Sequence, residues 1–273
     1  MSISISLPLK VCLCAIFISS CLSSTALGQQ RRGDAGWPCK GTVDPAYVRS
    51  AEATGGVVML FKPTELAGAA AERRASDRHD EVVFRASGQL ARGDYEFEVP
   101  LDPAIESAYF FMSMQCLEGV TLIRPAGDAQ RTDEAGIEYH HFEAVRLFTV
   151  PQPAPGAWKV RVAGSGYFTV LVKADTDVKL SGVTFSAGLP LQRGPQQLEV
   201  RMTGVINDIA VHFLSASAAI LETLALRREE ESDGARRYAG EVTPPARDFR
   251  VAVTGVDDKG FRVQRVGKRL YVD

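Results

Sequence analysis

Histidine is scarce in this chain, four in 273 residues, and tryptophan scarcer, with two. His79 and His212 stand alone, while His140 and His141 are adjacent. In an extended chain neighbouring side chains point to opposite faces, so the adjacent pair cannot easily share one metal. A charge excess is also missing: the net charge is −2, with both signs interspersed. That removes the basic footprint of nucleic-acid binding and any strong field for cationic partners. No glycine-rich loop precedes a helix, so a phosphate cradle is absent. Gly164-Ser165-Gly166 lacks the Gly-x-Ser-x-Gly spacing and strand-to-helix setting of a nucleophile elbow. It separates two strand patterns and reads as a hairpin turn. No catalytic residue, cofactor or metal ligand is assigned.

Apolar material is ordinary, at 45% hydrophobic and 23% charged residues, which suits one or two globular cores. The longest apolar run, Val11 to Ile18 after Lys10, is too short to cross ~30 Å of hydrocarbon as a helix. With the small residues that follow it resembles a secretory signal peptide over residues 1–28. Cleavage after Ala26-Leu27-Gly28 would leave Gln29 first, and Leu22 to Leu27 still reads as leader. The alternative is a lipobox, Ile18-Ser19-Ser20-Cys21, giving a lipoprotein anchored through Cys21. The expected location is therefore secreted, periplasmic or cell-envelope. Of five cysteines, Cys39 and Cys116 lie beyond the leader. An even pair in an oxidising compartment permits a structural disulfide.

Residues 29–75 read as a helix–strand connecting segment. Asp44-Pro45 opens a helix as N-cap and first helical residue, and Gly55-Gly56 stops it. Val57 to Phe61 is an apolar run that predicts a buried strand, and Thr64 caps a second helix to about Ala75. Beyond Ser76 the pattern alternates. Strands are predicted at 81–86, 95–99, 108–114, 120–124, 143–150, 158–162, 167–173, 178–185 and 197–202. Others follow at 209–214, 221–227, 237–242, 249–254, 261–266 and 269–273. In Trp158-Lys159-Val160-Arg161-Val162 the apolar residues share one buried face. So many short strands divided by Gly/Pro/Asp turns, Arg92-Gly93-Asp94 among them, predict a mainly β protein of two β-sandwiches. Gly188-Leu189-Pro190 to Gly194-Pro195 divides 76–187 from 188–273.

In that order the chain resembles the region following the von Willebrand factor A domain in hemicentin-like extracellular proteins. Tyr47 to Val58 is similar to the last helix and strand of an A domain. Val99-Pro100-Leu101-Asp102-Pro103, Leu122 to Gly127, Pro155 to Val160 and Gly166 to Val170 resemble the strands that follow it. Phe249 to Asp257 resembles the immunoglobulin-like module at the end. The resemblance implies a galactose-binding-like, jelly-roll-type sandwich over 76–187 and an immunoglobulin-like sandwich over 188–273. It also implies adhesion-type work without catalysis, with an extracellular or envelope protein or glycan as partner, a separate A-domain protein among the candidates. The metal-binding Asp-x-Ser-x-Ser loop of the A domain has no counterpart here, so metal-dependent adhesion is not carried over. No sugar-binding residue is carried over with the fold type either.

Local candidates remain. Glu138-Tyr139-His140-His141-Phe142-Glu143 is the one cluster of titratable groups with an enzymatic look, and a solvated loop is its plain explanation. His212 reads as a surface or strand-edge residue. The Arg-Gly-Asp triplets at 32–34 and 92–94 sit where turns are expected. Trp158 reads as packed core rather than a sugar platform. Ligand-binding residues stay unassigned, and the likeliest surfaces are the loops around 87–94, 125–142 and 228–236. A carbohydrate-binding protein and a hydrolase whose carboxylates converge only in the fold are the rival readings.

Overall fold

Three strands carry the first β unit, each far longer than the usual five or six residues. They are β1 (Glu81–Leu101), β2 (Ile105–Ile123) and, after β3 (Glu138–His141) and β4 (Val145–Pro151), β5 (Gly156–Thr176). The computed structural model describes residues 39, 42–65, 80–189, 191, 193–229 and 235–272. All five strands are antiparallel in the order β1-β5-β2-β4-β3. At ~3.3 Å per residue a straight strand of this length would run roughly 65 Å and leave its faces open. Instead the three long strands bend together, and the sheet folds over onto itself.

The corner is legible in the glycines and register shifts. Shifts fall between Leu90 and Gly93, Met114 and Cys116, and Leu117 and Gly119. At Gly164 (φ 146°) an added Cβ would lie 2.1 Å from the Cys116 carbonyl oxygen, so only glycine fits. The two arms then share one core. Phe110 of one arm meets Trp158 of the other with ring centroids 5.5 Å apart, and Phe168 meets Phe97 at 5.5 Å. Trp158, Val160 and Val162 are buried, as the alternation requires. Two local expectations change here. Gly164-Ser165-Gly166 is the corner of a continuous strand, not a hairpin turn, and Arg92-Gly93-Asp94 lies within β1 beside a bulge. Glycine and aspartate break the apolar alternation at a bulge as they do at a turn, which is why the two look alike in sequence.

The second unit holds β6 (Leu180–Phe185), β7 (Gln196–Thr203), β8 (Asn207–Leu214) and β9 (Ile220–Leu224). It continues through β10 (Arg227–Arg228), β11 (Ala235–Val242), β12 (Phe249–Val256) and β13 (Arg262–Leu270). Two four-stranded sheets form, β10-β11-β7-β6 and β13-β12-β8-β9. Lettered in chain order from β6, these are D-E-B-A against G-F-C-C′, the immunoglobulin arrangement. Leu198, Val200 and Met202 alternate inward from β7, and the rings of Phe213 and Phe249 pack 4.5 Å apart in the core between the sheets. The protein is therefore mainly β, with sandwich-type units. Because β6 pairs with β7, the sheet changes between Thr176 and Leu180. The strand expected to close the first unit at 187 opens the second, and the Gly/Pro punctuation near 188–195 marks the β6–β7 connection.

Ahead of the sheets lies α1 (Pro45–Ala53), where the Asp44 carboxylate accepts from Ala46 N at 2.8 Å and Gly55 follows with φ 82°. Val57 to Phe61 forms no named strand, contrary to the sequence pattern, yet its side chains still divide by alternation. Val58 and Leu60 join Ala51, Ala144 and Tyr167, while Val57, Met59 and Phe61 pack with Tyr109, Phe111 and Leu147. The expected second helix begins as a single 3-10 turn, Pro63–Glu65, and the rest of it lies outside the described residues. So do the expected leader with Cys21, Arg32-Gly33-Asp34 and His79. Among the described residues no helix is long and apolar enough to cross a membrane.

Candidate functional site

The two β units meet at a buried set of charges. Glu52, near the end of α1, is 1% exposed and receives three guanidinium-bearing elements around it. Its Oε2 lies 3.1 Å from Arg250 Nη2 and 2.6 Å from Arg269 Nη1, and Ser87 Oγ donates to its Oε1. Arg85 of β1 donates to the carbonyls of Gly55 and Gly56, just past the helix. Arg250 also reaches Ala216 O at 2.9 Å and Ser87 Oγ at 3.2 Å. Burial pushes the Glu52 carboxyl up, but Arg250, Ser87, Arg269 and Arg85 together hold it below its ordinary value. Burial, with Arg85 alongside, drops the Arg250 guanidinium to about 10. A second buried pair, Asp102 with Arg265 at 2.8 Å, fixes the β1–β2 turn to β13. Burying such charges is tolerable because Glu52 and Asp102 are ion-paired and Arg85 donates to main-chain carbonyls, although Nε of Arg85, Arg250 and Arg269 is left without a partner. The junction is therefore a rigid mount.

Beside that mount the units part to leave a groove of about 340 Å³. Its floor is one face of the β13-β12-β8-β9 sheet, represented by His212, Leu214, Ala252, Thr254, Arg262 and Gln264. One wall is β1 at Glu96, Phe97 and Glu98, and the other is the approach to β9 from Ser217 to Ile220. His212 is buried on a central strand, not at the surface as its alternation suggested, with its ring held between Thr223 and Thr254 of the two flanking strands. Both ring nitrogens are engaged, Nδ1 with Thr223 Oγ1 at 2.9 Å and Nε2 with Thr254 Oγ1 at 2.8 Å. Burial, then the Arg262 charge, lowers its pKa. Glu96 pairs with Lys159 at 2.8 Å and Arg161 at 2.7 Å. Hydrogen bonds from both hold its carboxyl below the ordinary value. A carboxylate kept ionised is the wrong state for a general acid.

The cluster singled out in the sequence does not converge into a site. Glu138 is exposed on the edge strand β3, and Tyr139 packs on Phe148 with centroids 4.6 Å apart. Glu143 pairs with Lys62, and its amide donates to Glu65 Oε1 at 2.9 Å, tying the N-terminal segment down. His141 has its pKa lowered by burial and then by Arg146. In the second Arg-Gly-Asp, Arg92 is exposed and pairs with Glu118 at 2.9 Å. Cys39 and Cys116 are disulfide-bonded, their Cα atoms 4.9 Å apart, which ties the N-terminal segment to the sheet corner. Of the loops expected to recognise a ligand, 87–94 is strand throughout, and no described residue of 87–94, 125–142 or 228–236 lines the groove.

Sequence reasoning missed the groove and the Glu52 junction. The groove unites residues far apart in the chain, and no local spacing pairs β1 with β13. Glu52 carried a usable signal: it falls four residues after Val48, on the face of α1 that Val48 and Ala51 mark as apolar.

No protein-family model matches the chain, and no curated protein matches it. Two solved structures share part of its shape. The Bacillus licheniformis lipase BlEst2 in propeptide form has a TM-score of 0.36 at 10% identity, over 70% of this chain and 41% of that one. A GH2 β-galacturonidase from Eisenbergiella tayi bound to glycerol has a TM-score of 0.22 at 10% identity, over 69% and 44%. The chain thus spans less than half the length of either. Both likenesses are too loose to carry a functional argument.

Proposed function

We propose that the protein is an exported, non-catalytic binding or scaffolding module whose ligand sits in the groove between its two β units. One observation carries this reading: wall and floor come from different units that buried charge pairs lock together at Glu52 and Asp102. A site assembled across two units and held at fixed geometry is preorganised, which lowers the entropy cost of binding. The disulfide suits an oxidising compartment and so supports export. The hemicentin-like resemblance supports adhesion-type work with an envelope or extracellular partner. Against His212 as a general base stands the engagement of both its ring nitrogens, and against Glu96 as a general acid its pairing with two cations.

The test is to screen the purified chain against glycans and against glycoside, ester and peptide substrates, beside Ala219→Trp. Ala219 is exposed on the groove wall, so the indole fills the groove while the fold stays intact. Saturable binding lost in Ala219→Trp, without turnover, is the expected result. Turnover abolished by Glu96→Gln or Glu98→Gln, with folding unchanged, overturns it.

A further inference from the structure

Floor and wall of the groove are built in different ways. Floor residues recur at every second position, 212 and 214, 252 and 254, 262 and 264, as side chains do on one face of a sheet. The β1 wall instead supplies Glu96, Phe97 and Glu98 in succession. Successive side chains point to opposite faces of a strand, so three in a row border one space only where the strand presents its edge. Among the described residues β1 is the terminal strand of its sheet, and its ladder there is with β5, which leaves the other edge for pairing.

Upstream, the second unit already uses the same edge. Ser87 N donates to Ala216 O at 2.8 Å, and Val83 O accepts from Gln264 Nε2 at 3.0 Å. Past the bulge between Leu90 and Gly93 the edge continues beside the groove. Across from it the chain enters β9, also the terminal strand of its sheet, with Ile220 58% exposed.

We propose that the groove takes up an extended peptide segment of a partner protein, which adds as a strand to the edge of β1 at Glu96–Glu98. This rests on the binding role proposed for the groove and names its ligand class. Main-chain hydrogen bonds to a free edge give affinity, and pockets for alternate side chains give selectivity. Here the guest's inward side chains meet the exposed Ile220 and Ala219 and should be apolar. Glu96 is already held by two cations, whereas Glu98 has only Arg262 at 3.6 Å, with both side chains half exposed. A lysine or arginine in the guest therefore complements Glu98.

Phage-displayed short linear peptides selected on the purified chain supply the probes, and a panel of envelope polysaccharides runs beside them. The selected peptides are expected to be apolar with a basic residue and to lose binding by about tenfold or more on backbone N-methylation at alternate positions. They should also lose it on Ala219→Trp, and Glu98→Lys should weaken those with a basic residue. Circular dichroism and melting curves matching the parent protein keep these losses interpretable. Peptides whose affinity survives N-methylation at both alternating sets overturn the strand addition. Polysaccharide binding lost in Ala219→Trp, with no groove-dependent peptide, overturns the peptide inference and leaves the groove reading standing. If neither ligand depends on the groove, both readings fall.

Discussion

The two β units bury their sheets by opposite means. The first bends one sheet at a corner so that its arms face each other, and the second sets two separate sheets together. A bent sheet concentrates its risk at the corner, where backbones approach too closely for a side chain. A two-sheet sandwich spreads its risk through the interdigitated core and the β7–β8 turn at Gly204, while its β12–β13 turn at Gly260 stays permissive.

Paired glycine substitutions should expose this contrast most strongly. Gly164→Ala places a methyl 2.1 Å from a backbone oxygen and should prevent accumulation of folded protein, a loss above ~4 kcal/mol. Gly260→Ala, at φ 83° in the β12–β13 turn with open space around it, should cost only about 1 kcal/mol. Urea melts of both variants check this, and equal losses would remove the distinction between corner and turn.

The junction that joins the units ranks next. Glu52→Gln leaves Arg250 and Arg85 buried around a neutral group and should cost about 3–5 kcal/mol. The second transition should separate from the first, because the mount between units is lost. A single unshifted transition would show that Glu52 is no mount. Replacing Cys39 and Cys116 together by alanine should cost about 2–4 kcal/mol, in the first unit only, through the entropy of the freed chain.

The smallest effect is one of pH. The folded pKa of His212 lies below its unfolded value of about 6.5, so its contribution is complete above that pH. It is lost as pH falls through the folded value, because burial and the Arg262 charge disfavour the imidazolium. Glu52, also depressed, follows the same sign at lower pH. Stability should fall as pH drops from 7 to 5, and His212→Gln should flatten that slope. Parallel pH profiles for the two proteins would discount the histidine.

How much of this was legible varies by residue. The Trp158-Lys159-Val160-Arg161-Val162 alternation placed its apolar face in the core, and Asp44-Pro45 and Gly55 bounded α1, because these signals are local. Strands β6, β7, β8, β11 and β12 emerged nearly as read for the same reason, whereas 221–227 divides into β9 and β10 in different sheets and the strand from 261 runs on to Leu270 as β13. The corner was not legible, since a Gly-rich interruption means a turn or a bend depending on what packs against it. His212 was misplaced because alternation gives the face of a strand, not its place in the sheet, and a central strand sets threonines on both sides of the ring. The groove residues carried no local signature, since strand edges and faces become a site only when the units dock.

Arg269 lies 217 residues beyond its partner Glu52. A chain emerging from the ribosome therefore makes the helix and β1 long before the strands that neutralise them. Until β12 and β13 arrive, Glu52 is one anion with only Arg85 nearby, and neither has reason to leave water. Closure of the junction then reports that both units are complete. The buried charge acts in time as well as in space, as a late checkpoint on synthesis that a purely apolar junction, sticky from the start, would not provide.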